Sequence, residues 1–134
     1  MGRSPSFIVA ALGLLLAAPV RAEPAPTPAS EAPVCGVVAR DAPGYRAAVA
    51  ADPRFKADGG DALRESFSAE DIQAIWTFVK PKHPAYPAAV CQQVVDRDGL
   101  LQIERQVRCE ASAAACAALT AELDRMDDGS GDGA

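Results

Sequence analysis

Five residues carry most of the reactive chemistry in this chain: a single histidine, His83, and four cysteines, Cys35, Cys91, Cys109 and Cys116. His83 sits in the run Lys80-Pro81-Lys82-His83-Pro84-Ala85-Tyr86-Pro87. An imidazole changes charge near neutral pH, so it is the natural general acid or base of a small enzyme. A hydrolase built on it would need an orienting acid, for which Glu70 and Asp71 are candidates. The same run also reads as a binding surface made by Lys80, Lys82, His83 and Tyr86. A proline-stiffened loop loses little entropy on binding, and cations beside a tyrosine suit an acidic or mixed protein partner.

The cysteines point away from metal and redox chemistry. Zinc sites and thioredoxin-like sites both use closely spaced C-x-x-C pairs, and the sequence has none. Asp128, Ser130, Asp132 and Gly133 are spaced like the opening of a calcium loop, but no acid follows at its last position. Asp58 and Asp61 flank a Gly-Gly turn and read as a polar loop. G-x-S-x-G, Walker, G-x-G-x-x-G and H-E-x-x-H patterns are absent from the sequence. The expectation is a protein without a metal or cofactor.

Composition narrows the class. The chain has 134 residues, 13 Lys+Arg against 18 Asp+Glu, and a net charge of −5. That length fits one domain. The acidic balance argues against nucleic-acid binding, which needs a basic face to displace phosphate counterions. Residues 1–22 read as a secretory signal peptide. Arg3 supplies the positive start, Phe7 to Ala18 is apolar, and Val20-Arg21-Ala22 offers a cleavage site. The apolar run falls short of the ~18 residues of a spanning helix, so no membrane span is expected after cleavage. Cleavage removes Arg3 and Arg21 but no acid, taking the net charge from −5 to −7. Export to an oxidising compartment makes the cysteines disulfides. The alanine-rich composition points to a bacterial chain bound for the periplasm or the medium.

Residues 23–33 hold Pro24, Pro26, Pro28 and Pro33 and read as a stiff linker. Residues 127–134 read as a disordered acidic tail. The folded domain is expected over 34–126. Within it, Val34 to Val38 reads as a strand. Asp41-Ala42-Pro43 opens a helix that Pro53 ends, with Tyr45, Ala48, Val49 and Asp52 along one side. Residues 54–65 read as a polar connection. Ser68 and Asp71 look like a capping box, and Ile72, Ile75, Trp76 and Val79 fall on one helix face, predicting a helix that ends before Pro81. Asp98-Gly99 marks a tight turn between strands Val90–Arg97 and Leu100–Cys109. If Arg97 pairs with Leu100, Val90 faces Val107 and Val94 faces Ile103, with Gln93 and Glu104 on the other face. A helix over 85–95 is the rival reading. Ser112 caps a last helix that puts Cys116, Leu119, Leu123 and Met126 on one face.

The predicted fold is therefore α+β, a small disulfide-stapled domain with two or three helices on one face of an antiparallel hairpin or sheet. The hairpin register sets Cys91 opposite Gln106 and turns it away from Cys109. The favoured disulfides are then Cys35–Cys91 and Cys109–Cys116. The function expected is that of an exported binding protein, of inhibitor, immunity or accessory type, with a protein partner in the envelope. The alternatives are a small hydrolase using His83 and a passive envelope component.

Overall fold

A computed structural model describes residues 33–130. The expected signal peptide, nearly all of the expected linker and residues 131–134 lie outside the described residues. The element order is α1 (Ala42–Ala51), β1 (Lys56–Gly60), β2 (Arg64–Ala69), β3 (Ala74–Val79), β4 (Ala88–Arg97), β5 (Leu100–Cys109) and α2 (Ala113–Ser130). The strands form one antiparallel sheet in the order β1-β2-β3-β4-β5. Among the described residues no helix is long and apolar enough to cross a membrane.

The class is α+β with two disulfides, but the layers differ from expectation. The helices cover opposite faces of the sheet. Ala74, Trp76 and Phe78 of β3 alternate with Ile75, Thr77 and Val79, and the two sets point to opposite sides. The first set packs with Tyr45 and Val49 of α1 and with Ala89 and Cys91 of β4. Val79 and Val90 pack with Leu119 and Leu123 of α2. A sheet covered on both sides buries both faces of its central strands, so β3 lacks the clean polar alternation of a one-sided strand.

The expected helix around residues 68–79 is absent. The chain there is β2, a turn and β3. Ile72, Ile75, Trp76 and Val79 do not share a face: Trp76 is buried under α1, and Ile75 is exposed on the other side. The run Ile75-Trp76-Thr77-Phe78-Val79 is β-branched and aromatic, which suits a pleated surface better than a helix. The expected strand at 34–38 reduces to one bridge between Val34 and Val37, closed by two backbone hydrogen bonds of 2.9 Å. The expected connection at 54–65 contains β1.

Other elements lie where the residues point. Asp41 caps α1, its carboxylate accepting the Gly44 N–H at 2.7 Å, with proline in the first turn. Arg97 pairs with Leu100, and the whole hairpin follows from that register, Val90 facing Val107 and Val94 facing Ile103. Residues 88–97 are strand, so the rival helix over 85–95 does not form. Ser112 caps α2, its hydroxyl accepting the Ala115 N–H at 3.2 Å. The helix continues through Ser130, so residues 127–130 of the stretch read as a tail are helical. The disulfides are Cys35–Cys91 and Cys109–Cys116, with Cα separations of 6.5 and 5.8 Å.

Candidate functional site

The loop 80–87 joins β3 to β4 and is held from several sides. The Lys80 N–H donates to the Leu63 carbonyl at 2.7 Å, and its ammonium donates to the Asp61 carbonyl at 2.6 Å. The His83 N–H donates to the Lys80 carbonyl at 2.9 Å, and the Tyr86 N–H to the His83 carbonyl at 3.0 Å. Pro81, Pro84 and Pro87 fix φ between these bonds, and the Tyr86–Pro87 peptide is cis. Each proline removes a backbone donor and restricts the chain where the neighbouring N–H groups are already bonded.

The four residues expected to form one surface are divided. Lys82 and Tyr86 face solvent, Tyr86 being 44% exposed. Lys80 is half-buried and tied to Asp61. His83 is buried, 8% exposed, and turned toward α2. Its Nδ1 accepts the Ala85 N–H at 3.0 Å, which places the proton of the neutral ring on Nε2. Nε2 lies 3.4 Å from Glu122 Oε2 of α2. Glu122 Oε1 in turn accepts from Arg64 Nη1 at 2.7 Å, and Arg64 Nη2 reaches Asp61 at 3.3 Å. The acid beside His83 is therefore Glu122. Glu70 and Asp71 lie between β2 and β3, at the other end of β3 from His83. With one ring nitrogen accepting a backbone proton and the other facing Glu122, His83 presents no lone pair to an outside substrate. Its visible work is to pin the 80–87 loop to α2.

Asp61 anchors the same corner. Its carboxylate accepts the N–H groups of Leu63 and Arg64 at 2.7 and 2.9 Å. The Leu63 bond foremost, with Arg64 beside it, holds the acid below its ordinary value of 3.8.

On the α1 side, Tyr86 borders a cleft of about 170 Å³. Pro43 and Arg46 of α1 form one wall, and Phe78, Val79 and Pro87 form much of the rest. Arg46 is ion-paired with Glu65 of β2. Glu65 raises the Arg46 pKa from an already high value, so the guanidinium is charged at any ordinary pH. The cleft offers an apolar floor, a phenol and a fixed cation. Sequence reading missed it because α1 and the loop are far apart in the chain. It missed the His83–Glu122–Arg64 chain for the same reason. Among the described residues no group of three or more His, Cys, Asp or Glu is placed to hold a metal ion.

Comparison with known protein families, with curated proteins and with solved structures finds no match for this chain.

Proposed function

We propose that this is an exported binding protein of inhibitor, immunity or accessory type, acting in the periplasm or the medium through protein–protein contact. The contact surface is the outer side of the 80–87 loop, with Lys82 and Tyr86 at its centre and the Arg46 cleft beside them. The observation that carries the reading is that hydrogen bonds from Lys80, His83, Ala85 and Tyr86 tie the loop to itself and to the 61–63 turn while Lys82 and Tyr86 stay exposed. Tyrosine and arginine are among the residues that most often dominate interface energetics, and a hydrogen-bonded backbone at Tyr86 lowers the ordering cost of a contact there. The two disulfides suit an oxidising compartment. The role of His83 as a loop pin weighs against a hydrolase centred on it.

Affinity capture from an envelope extract of the source cell tests this, with the oxidised protein and its Lys82→Glu/Tyr86→Ala variant run side by side. Saturable capture of one partner by the wild type and its loss in the folded variant is expected. Equal capture by both would remove the loop from the contact. His83→Ala separates the enzyme reading: an enzyme would lose turnover completely, whereas a binder would lose affinity only in step with the loosened loop.

A further inference from the structure

The two edges of the sheet are built differently. β1 is five residues long, carries Lys56, Gly59 and Gly60, and breaks register between Ala57 and Gly60. Short length, a lysine and a bulge are devices that keep an edge strand from pairing with another chain. β5, the opposite edge, has none of them. It runs ten residues without glycine, proline or lysine and keeps one unbroken register with β4. Its first residues are large and exposed: Leu100 by 66%, Leu101 by 73% and Ile103 by 72%. Ile75 of β3, 44% exposed, lies on the same face as Leu101 and Ile103.

The backbone decides which residues can pair outward. Arg97 and Leu100 flank a two-residue turn and form a hydrogen-bonded pair, so hydrogen-bonded and open pairs alternate along the ladder. On β5 the open ones are Leu101, Ile103, Arg105, Val107 and Cys109. Their N–H and C=O groups point away from β4, toward the edge that no other strand covers among the described residues.

We propose that β5 pairs antiparallel with β5 of a second copy of this chain, around a twofold axis at Ile103, to give one sheet continuous across both molecules. In this register Ile103 meets Ile103 of the second copy, Leu101 lies opposite Arg105, and Gln102 lies opposite Glu104. Aliphatic surface meets aliphatic surface or an arginine stem, and no like charges face each other. Moving the axis one residue, to Glu104, would set two carboxylates opposite each other. The strand is thus complementary to itself, as an isologous contact requires. The loop 80–87 enters β4 at Ala88, the end of the hairpin away from its turn. The twofold therefore sends the two loops to opposite ends of the dimer and leaves both free.

Sedimentation equilibrium of the oxidised protein over a range of concentrations tests the pairing. A reversible monomer–dimer equilibrium is expected, tightening as salt screens the repulsion between two acidic copies. Ile103→Lys should weaken the dimer about tenfold or more, by placing two ammonium groups on the axis. Ala57→Lys adds the same charge at an exposed residue of β1, the opposite edge of the sheet, and should leave the dimer intact. Hydrogen exchange on the wild type reads the same contact without a variant. The amides of Leu101, Ile103 and Arg105 should slow as concentration rises, while those of Gln102 and Glu104, already bonded to β4, should not. A monomer at all concentrations, a dimer indifferent to Ile103→Lys, or a dimer without that exchange pattern would each overturn the proposal.

Discussion

Trp76 is fully buried between two rings, its centroid 5.3 Å from Tyr45 and 5.5 Å from Phe78. That stack joins α1 to β3, in a core where much of the other volume is alanine and valine. Removing it by Trp76→Ala should cost about 3–5 kcal/mol in a urea titration. The indole Nε1 is buried without a hydrogen-bond partner among the described residues. Trp76→Phe deletes that unsatisfied donor along with some volume, so its cost should fall well below that of alanine. Asp61 gives a second test at this scale, with a defined sign. A carboxyl held below its ordinary value stabilises the fold above that value and ceases to do so as pH falls through the lowered one. The stability gap between wild type and Asp61→Ala should be steady at neutral pH and narrow as pH falls below 3.8. A gap independent of pH would mean that the Asp61 charge is not what orders this corner.

At the scale of elements, the hairpin and the first helix were readable and the central strand was not. The β4–β5 turn has positive φ at Asp98 (56°) and Gly99 (82°), as a type I′ turn demands, and Asp-Gly announces that turn in one dipeptide. Register then follows by counting, and with it the faces of Cys91 and Cys109. α1 was equally plain, because Asp41 and Pro43 are local signals. β3 was hidden by its own burial. With Ala74 on the α1 side and Val79 on the α2 side, apolar residues fall at both strand and helix spacings, and Ser68 and Asp71 imitate a cap. β1 was hidden for the opposite reason, since Lys56 to Gly60 has no large apolar side chain at all. Glycine is needed at Gly60, where φ is 142° and an added Cβ would lie 2.5 Å from the Arg64 carbonyl oxygen. At Gly99 only φ is restrictive, and a Cβ there meets open space. Gly99→Ala should cost about 1 kcal/mol, and Gly60→Ala more, with loss of the β1–β2 pairing visible in amide exchange.

For the whole molecule, each disulfide ties one helical layer to the sheet. Cys35–Cys91 fastens the segment before α1 to β4 on one face, and Cys109–Cys116 fastens the end of β5 to the start of α2 near the other. A small alanine-rich core leaves a narrow stability margin, so these links matter to whether the fold persists. On chain-entropy grounds the first contributes about 4 kcal/mol and the second about 2.5 kcal/mol. Replacing Cys35 and Cys91 by alanine should lower the melting temperature more than replacing Cys109 and Cys116. The candidate site was legible only in part, because its residues come from separate layers. Local signals single out the 80–87 loop as a candidate, but the residues beside it, Glu122 and Arg46, come from helices on opposite faces that no short window connects.

The binding reading rests on Tyr86 more than on any other side chain. The decisive measurement is a calorimetric titration of the captured partner with the wild-type protein and with Tyr86→Ala. An interface centre at Tyr86 should cost at least ~2 kcal/mol, about thirtyfold in Kd, with the fold unchanged by circular dichroism. A change below about threefold, in a folded variant, would contradict the loop as the functional surface.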